Sequence, residues 1–127
     1  MKTSGKLSAL QSDTAIRIVQ FAVGVIAITF IFWRLQFSTS AICCGDFDGY
    51  YHIKVAELIW LHGPRLDFPW LRYTILNQSA YTDHHLLFHI LQAPFTVFGD
   101  LRWAAKTSSV VFATLSFGGV FLFMARN

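Results

Sequence analysis

Residues 18–33, IVQFAVGVIAITFIFW, decide how this chain is read. These 16 residues lie uncharged between Arg17 and Arg34, almost all aliphatic or aromatic, with Gln20 the main polar intrusion. A bilayer core needs about 20 residues of helix, and the run reaches that length once its flanks are counted. Arg17 and Arg34 can carry their charges out to the headgroups, and Trp33 suits the interfacial aromatic belt. A cleaved signal fits less well, because its apolar region spans about 7–15 residues and ends on small side chains. This run is longer and closes on Phe-Ile-Phe-Trp-Arg, leaving Ser38-Thr39-Ser40-Ala41 as a weak cleavage candidate.

A second run, residues 107–125 (TSSVVFATLSFGGVFLFMA), is uncharged between Lys106 and Arg126 and apolar from Val110 onward. Composition sides with the membrane as well. Only 13% of the 127 residues are charged, while 54% are apolar and 17% aromatic. A soluble domain carries about 25% charged residues, so a buried helix of a soluble protein is the weaker reading of either run. The net charge of +3 is small and scattered, which gives no support to a nucleic-acid partner.

The fold expected is all-α and integral to the membrane, with two transmembrane helices joined by an external loop that carries amphipathic surface helices. The boundaries expected are an N-terminal segment 1–15, spans 16–36 and 107–125, a loop 37–106, and a short end 126–127. Lys2, Lys6 and Arg17 precede the first span against Asp13 alone, which places the N-terminus in the cytoplasm of a cell (inner) membrane. Lys54, Arg65, Arg72, Arg102 and Lys106 on the outside work against that orientation.

Within the loop, Tyr51, Val55, Leu58 and Ile59 recur at helical spacing, which predicts a helix over about 48–62, stopped by Gly63-Pro64. Leu86, Phe88, Ile90, Leu91 and Phe95 give an apolar surface over about 83–98, limited or kinked by Pro94. Both helices suit the membrane surface. Asp67-Phe-Pro-Trp and Leu76-Asn-Gln-Ser read as loop. Cys43 and Cys44 are adjacent, a poor geometry for bridging each other, and no CxxC accompanies them.

Two clusters carry candidate chemistry. Asp46-Phe-Asp48, beside a glycine, could hold a hard cation such as Mg²⁺ or Mn²⁺, or one carboxylate could simply start the following helix. Asp83-His84-His85 is followed by His89, which shares a helical face with His85 at a spacing that can chelate a metal. There Asp83 could cap the helix or orient one imidazole. Histidines hydrogen-bonding water and headgroups are the plainer alternative.

The stretch Asp46-Phe-Asp-Gly-Tyr-Tyr-His-Ile-Lys-Val-Ala-Glu-Leu-Ile resembles the first external loop of type-C multi-pass membrane glycosyltransferases. These include the oligosaccharyltransferase catalytic subunits and their archaeal relatives. Their pattern is roughly Phe-Asp-Pro-aromatic-aromatic-His/Asn-x-Arg followed by a helix. Gly49 stands here for the proline, and Lys54 stands near the arginine position. The Asp83-His84-His85 cluster lies outside that pattern.

The resemblance implies a polyprenyl-phosphate-linked sugar as donor, an external acceptor, and a divalent metal (Mg²⁺ or Mn²⁺). Asp48 would be the catalytic carboxylate, binding the metal with Asp46 or acting on the acceptor. His52, one turn further along, would touch substrate together with Asp83, His84 and His85. Such enzymes have more spans and further acidic loops, so the resemblance implies an N-terminal portion, truncated at Asn127 and inactive alone. The reading from a different class is a non-enzymatic two-span scaffold that binds a partner through its external helices. A histidine-box metal enzyme would need about eight histidines in several boxes, and the chain has five.

Overall fold

The structure, a computed structural model, describes residues 3–42, 48–66 and 82–126, with side chains from residue 14 onward. Among the described residues the chain is all-helical. Helix α1 runs Thr3–Phe37, α2 Asp48–His62, α3 Leu86–Gln92, and α4 Leu101–Arg126. A 3₁₀ segment, Ala93–Phe98, continues α3. Two stretches, Thr14–Phe37 and Leu101–Arg126, are long and apolar enough to cross a membrane. Cys43, Cys44, Asp46 and the two loop tetrapeptides lie outside the described residues.

The chain divides into two compact units, Met1–Gln36 with Ser109–Asn127, and Phe37–Ser108. The first is an antiparallel helix pair. Arg17 Nη1 donates to the Ala125 carbonyl at 2.9 Å, Phe21 and Phe121 pack with ring centroids 5.3 Å apart, and the Thr29 and Thr114 hydroxyls meet at 3.0 Å. Gly24 allows the close approach between these contacts. A Cβ there would come within 2.8 Å of the tip of the Phe117 ring, so only a bare backbone leaves that ring its place. Both threonines also bond back to carbonyls one turn earlier, Thr29 to Val25 and Thr114 to Val110, which satisfies their hydroxyls within an apolar stretch. The Arg17 guanidinium thus satisfies a carbonyl in the last turn of α4, the negative end of that helix.

In the second unit, α2 is the central element. It opens on Asp48, an acidic residue in the first turn where the helix dipole favours one. It ends at Gly63, whose N–H donates to the Ile59 carbonyl at 2.8 Å with φ at 89°, a left-handed conformation that a side chain would strain. Ile53 packs with Ile42, Ala104 and Ala105. Val55, Ala56 and Ile59 pack with Ala93, and Leu66 leans on them. The buried arc thus centres on Ile53 and Ala56, while Tyr51 is exposed and Leu58 only half-buried. Because α2 carries apolar residues on most of its circumference, periodicity alone does not orient it.

The α3 segment inverts the usual arrangement. Its buried residues are His89, Gln92, Ala93 and Thr96, at i, i+3, i+4 and i+7, a stripe that is mostly polar. Leu87, Leu91 and Phe98 face outward, with Leu87 and Phe98 both 72% exposed. Gln92 Nε2 donates to Ser108 Oγ at 3.0 Å, and that hydroxyl donates to the Ala105 carbonyl at 2.9 Å. Among the described residues, Gln92 Oε1 and Thr107 Oγ1 are buried without hydrogen-bond partners. Lys106, also buried, donates to the Thr39 carbonyl and sits 5.5 Å over the Phe37 ring.

Asp100 starts α4 by accepting the Arg102 and Trp103 amides on Oδ1, at 2.9 and 3.2 Å. The Trp103 amide first, and with it the Arg102 amide and guanidinium, outweigh desolvation and hold its carboxyl below the ordinary carboxylate range. Because the folded value is the depressed one, this contribution is complete above the ordinary value, near pH 4. It is lost as pH falls through the lowered folded value. Amide-exchange protection at Arg102 and Trp103 is therefore expected to fall selectively in acid. Asp100→Ala should show the same loss at neutral pH, and unchanged protection in that variant would remove the cap from the account.

Candidate functional site

Three of the residues singled out from sequence converge on a fourth. His89 lies on the inner face of α3 with no exposed surface, and both of its ring nitrogens are engaged. Its Nδ1 lies 2.6 Å from Asp83 Oδ2, and its Nε2 lies 2.7 Å from His52 Nδ1. Asp83 uses its other oxygen, Oδ1, to accept the His85 amide at 2.9 Å, which fixes the turn that leads into α3. One carboxylate thus does both jobs expected of it, holding the turn and orienting an imidazole. The result is a hydrogen-bonded chain, Asp83–His89–His52, running from a turn through the core of the unit to α2.

Side chains wall this chain closely. The His52 ring meets His85 and Phe88 edge-on, with centroids 5.1 and 5.5 Å away, and Tyr51 stands edge-on to His89 at 6.0 Å. His52 is itself half-buried, so the chain reaches the surface of the unit there. Asp83 is almost as buried as His89, its side chain 8% exposed. A carboxylate so placed needs donors, and the His85 amide and the His89 ring supply them.

Proton positions follow from the partners. A carboxylate can only accept, so His89 Nδ1 carries the hydrogen. In neutral His89 the Nε2 is then an acceptor, and His52 Nδ1 must donate to it. Neutral His52 is left with its lone pair on Nε2.

The other sequence candidates fall out as follows. Asp48 heads α2 one turn before His52, so the helix carries both on neighbouring positions of one face. His84 sits exposed in the turn and does not join the chain. His85 contributes its backbone amide and ring face. It does not form a chelating pair with His89, whose nitrogens are both committed and whose ring stands 71° to its own at 6.1 Å. Among the described residues no three His, Cys, Asp or Glu side chains are grouped to hold a metal ion. Asp46, expected as a metal ligand with Asp48, lies outside the described residues.

The linking role of His89 is what sequence reasoning missed. Its helical spacing to His85 was visible, but its true partner is 37 residues away in the chain. Comparison with known protein families, characterised proteins and solved structures yields no match.

Proposed function

We propose that this chain contributes two membrane spans and the first external loop of a glycosyltransferase that uses a polyprenyl-phosphate-linked sugar. The observation that carries the reading is that α2 sets Asp48 one turn from His52, while His52 is tied through His89 to Asp83. The two clusters of the loop thereby become one site with a carboxylate and an oriented base. The donor's lipid tail would lie in the bilayer, and its sugar would meet Asp48, whose carboxylate accepts hydrogen bonds from sugar hydroxyls. A divalent ion, if the enzyme uses one, would find one described ligand in Asp48 and must draw the others from elsewhere.

The lipid bilayer as a partner is supported by the two long apolar helices and by the inverted α3 segment, which keeps its polar stripe inside and turns leucines outward. Orientation follows the basic N-terminal flank, with the N-terminus in the cytoplasm and Phe37–Ser108 on the outer side of the cell membrane. The test is photo-crosslinking of the chain in lipid nanodiscs with a photoreactive polyprenyl-phosphate sugar. Labelling is expected to be competed by unlabelled donor and not by phosphatidylglycerol. It should fall about tenfold in Asp48→Ala, the loss of one hydrogen bond to a charged group. Labelling that any anionic lipid competes, or that ignores Asp48, rejects the transferase.

A non-enzymatic two-span scaffold is the second reading, favoured by the outward apolar face of α3, which would dock a partner helix as well as lipid. It requires no donor capture, so the same experiment separates the two.

A further inference from the structure

We propose that the Arg17 end of the helix pair holds one membrane lipid with an anionic headgroup, a phosphodiester that brings hydroxyls and no ammonium. The proposal rests on the two spans and the contacts between them, so it stands whether or not the chain belongs to a transferase.

The site is a groove of about 440 Å³ between α1 and α4, lined by Arg17, Gln20, Phe121, Met124 and Ala125. Its depth in the membrane follows from the chain. Arg17 lies one helical turn inside the Thr14–Phe37 stretch, roughly 5 Å along the axis. Ala125 is the last residue but one of α4. The groove therefore opens at the level of the lipid headgroups rather than among the acyl chains.

Its polar wall suits an anion. Arg17 donates through Nη1 to the Ala125 carbonyl at 2.9 Å, which ties the guanidinium to the end of α4. Its remaining N–H donors have no partner among the described residues, and the side chain is exposed. A guanidinium fork offers phosphate two parallel hydrogen bonds, a match that a lysine lacks. Arg126 follows Ala125 along α4 and brings a second cation to the same end. Residues 14–36 and 109–126 contain no Asp or Glu, so no acid in the described part of this unit competes for either charge.

The rest of the groove selects the kind of anion. Gln20 stands one turn from Arg17, and its amide can both donate and accept, which suits a headgroup hydroxyl beside the phosphate. A headgroup ammonium would be set against Arg17 and Arg126, two like charges. Phe121 and Met124 form an apolar wall, and Met124 is 71% exposed. The glycerol and first methylenes of a lipid would cover that wall, whereas a free anion would leave it in water. Basic pockets between membrane helices hold anionic headgroups in this way, while a lone surface cation only attracts them.

The test is native mass spectrometry of the whole chain in a neutral detergent, titrated with phosphatidylglycerol or phosphatidylcholine. One phosphatidylglycerol is expected to be retained, about tenfold more tightly than phosphatidylcholine. Arg17→Gln should weaken its binding about thirtyfold, through lost hydrogen bonds to a charged group. Gln20→Glu keeps Arg17 on the Ala125 carbonyl but sets a carboxylate beside its remaining donors, and should abolish the preference. That variant keeps the test decisive if Arg17→Gln loosens the helix pair. Arg34→Gln, at the other end of the same span, should cost no more than the roughly fivefold that loss of any surface cation brings. Inorganic phosphate at the same concentration should not displace the lipid. The proposal is overturned by equal retention of phosphatidylcholine, or by an Arg34→Gln loss as large as that of Arg17→Gln. A Gln20→Glu chain that still prefers phosphatidylglycerol, or displacement by inorganic phosphate, overturns it as well.

Discussion

His89→Ala is expected to lower the stability of the Phe37–Ser108 unit by about 3 kcal/mol. Three losses combine in that figure. The Asp83 carboxylate, which is nearly buried, loses a charge-assisted hydrogen bond at a place with little exposure to water. An imidazole-sized space opens beside Tyr51 and Phe88, whose rings lie 6.0 and 5.9 Å from that of His89. His52 loses its acceptor. The measurement is amide exchange of α2 and α3 in nanodiscs, where protection should fall by two orders of magnitude or so. His89→Leu fills the space and should recover only part of the loss, since Asp83 Oδ2 stays without its donor. The double variant Asp83→Leu/His89→Leu should recover more than His89→Leu alone, because no charge is then left without a donor, although the His85 amide and His52 Nδ1 still lose their partners. Protection in His89→Ala equal to that of the unaltered chain would mean the chain of hydrogen bonds contributes nothing to the fold.

Ile26→Asp is expected to cost about 3 kcal/mol of membrane insertion. Ile26 sits at the middle of the Thr14–Phe37 stretch and is 68% exposed, so its side chain has no protein cover that could hide a charge. A carboxylate there would face hydrocarbon with no partner, since the polar contacts of the helix pair lie at Thr29 and Arg17. Reporter tags at both ends of α1, read for sidedness in cells, should show the segment shifting from mostly inserted to mostly not. Ile26→Ala is the control and should insert normally. An aspartate variant that inserts as well as the control would place Ile26 in contact with water or protein, and the membrane reading of α1 would fall with it.

What could be read from the chain differs from element to element, for reasons that are physical. The two long helices declare themselves because an uncharged run of that length has few other uses; Arg17 and Arg34 bound the first run, although α1 itself extends from Thr3 to Phe37, and Arg126 ends α4. The stop of α2 is equally local: Gly63 supplies the left-handed residue and Pro64 refuses to continue. The start of α4 was less visible. It begins at Leu101 because Asp100 caps it, and the expected span starts only at residue 107, where the uncharged run does. For α2 the expected stripe of Tyr51, Val55, Leu58 and Ile59 is half right: Val55 and Ile59 are buried together with Ile53 and Ala56, while Tyr51 is exposed, because a helix apolar on most sides offers periodicity several equivalent solutions.

The site divides in the same way. Sequence by itself determined that helices would form, where most would stop, and that Asp83, His85, His89 and His52 were unusual residues for an apolar loop. Those are properties of neighbours, set by spacing and by local capping. The tertiary structure alone decided that His52 and His89 meet, that Asp83 serves the ring of His89 and the amide of His85 at once, and that the polar stripe of α3 turns inward. A hydrogen bond between residues 52 and 89 has no signature in either local pattern, because it exists only once α2 and α3 have packed and fixed both rings within 2.7 Å.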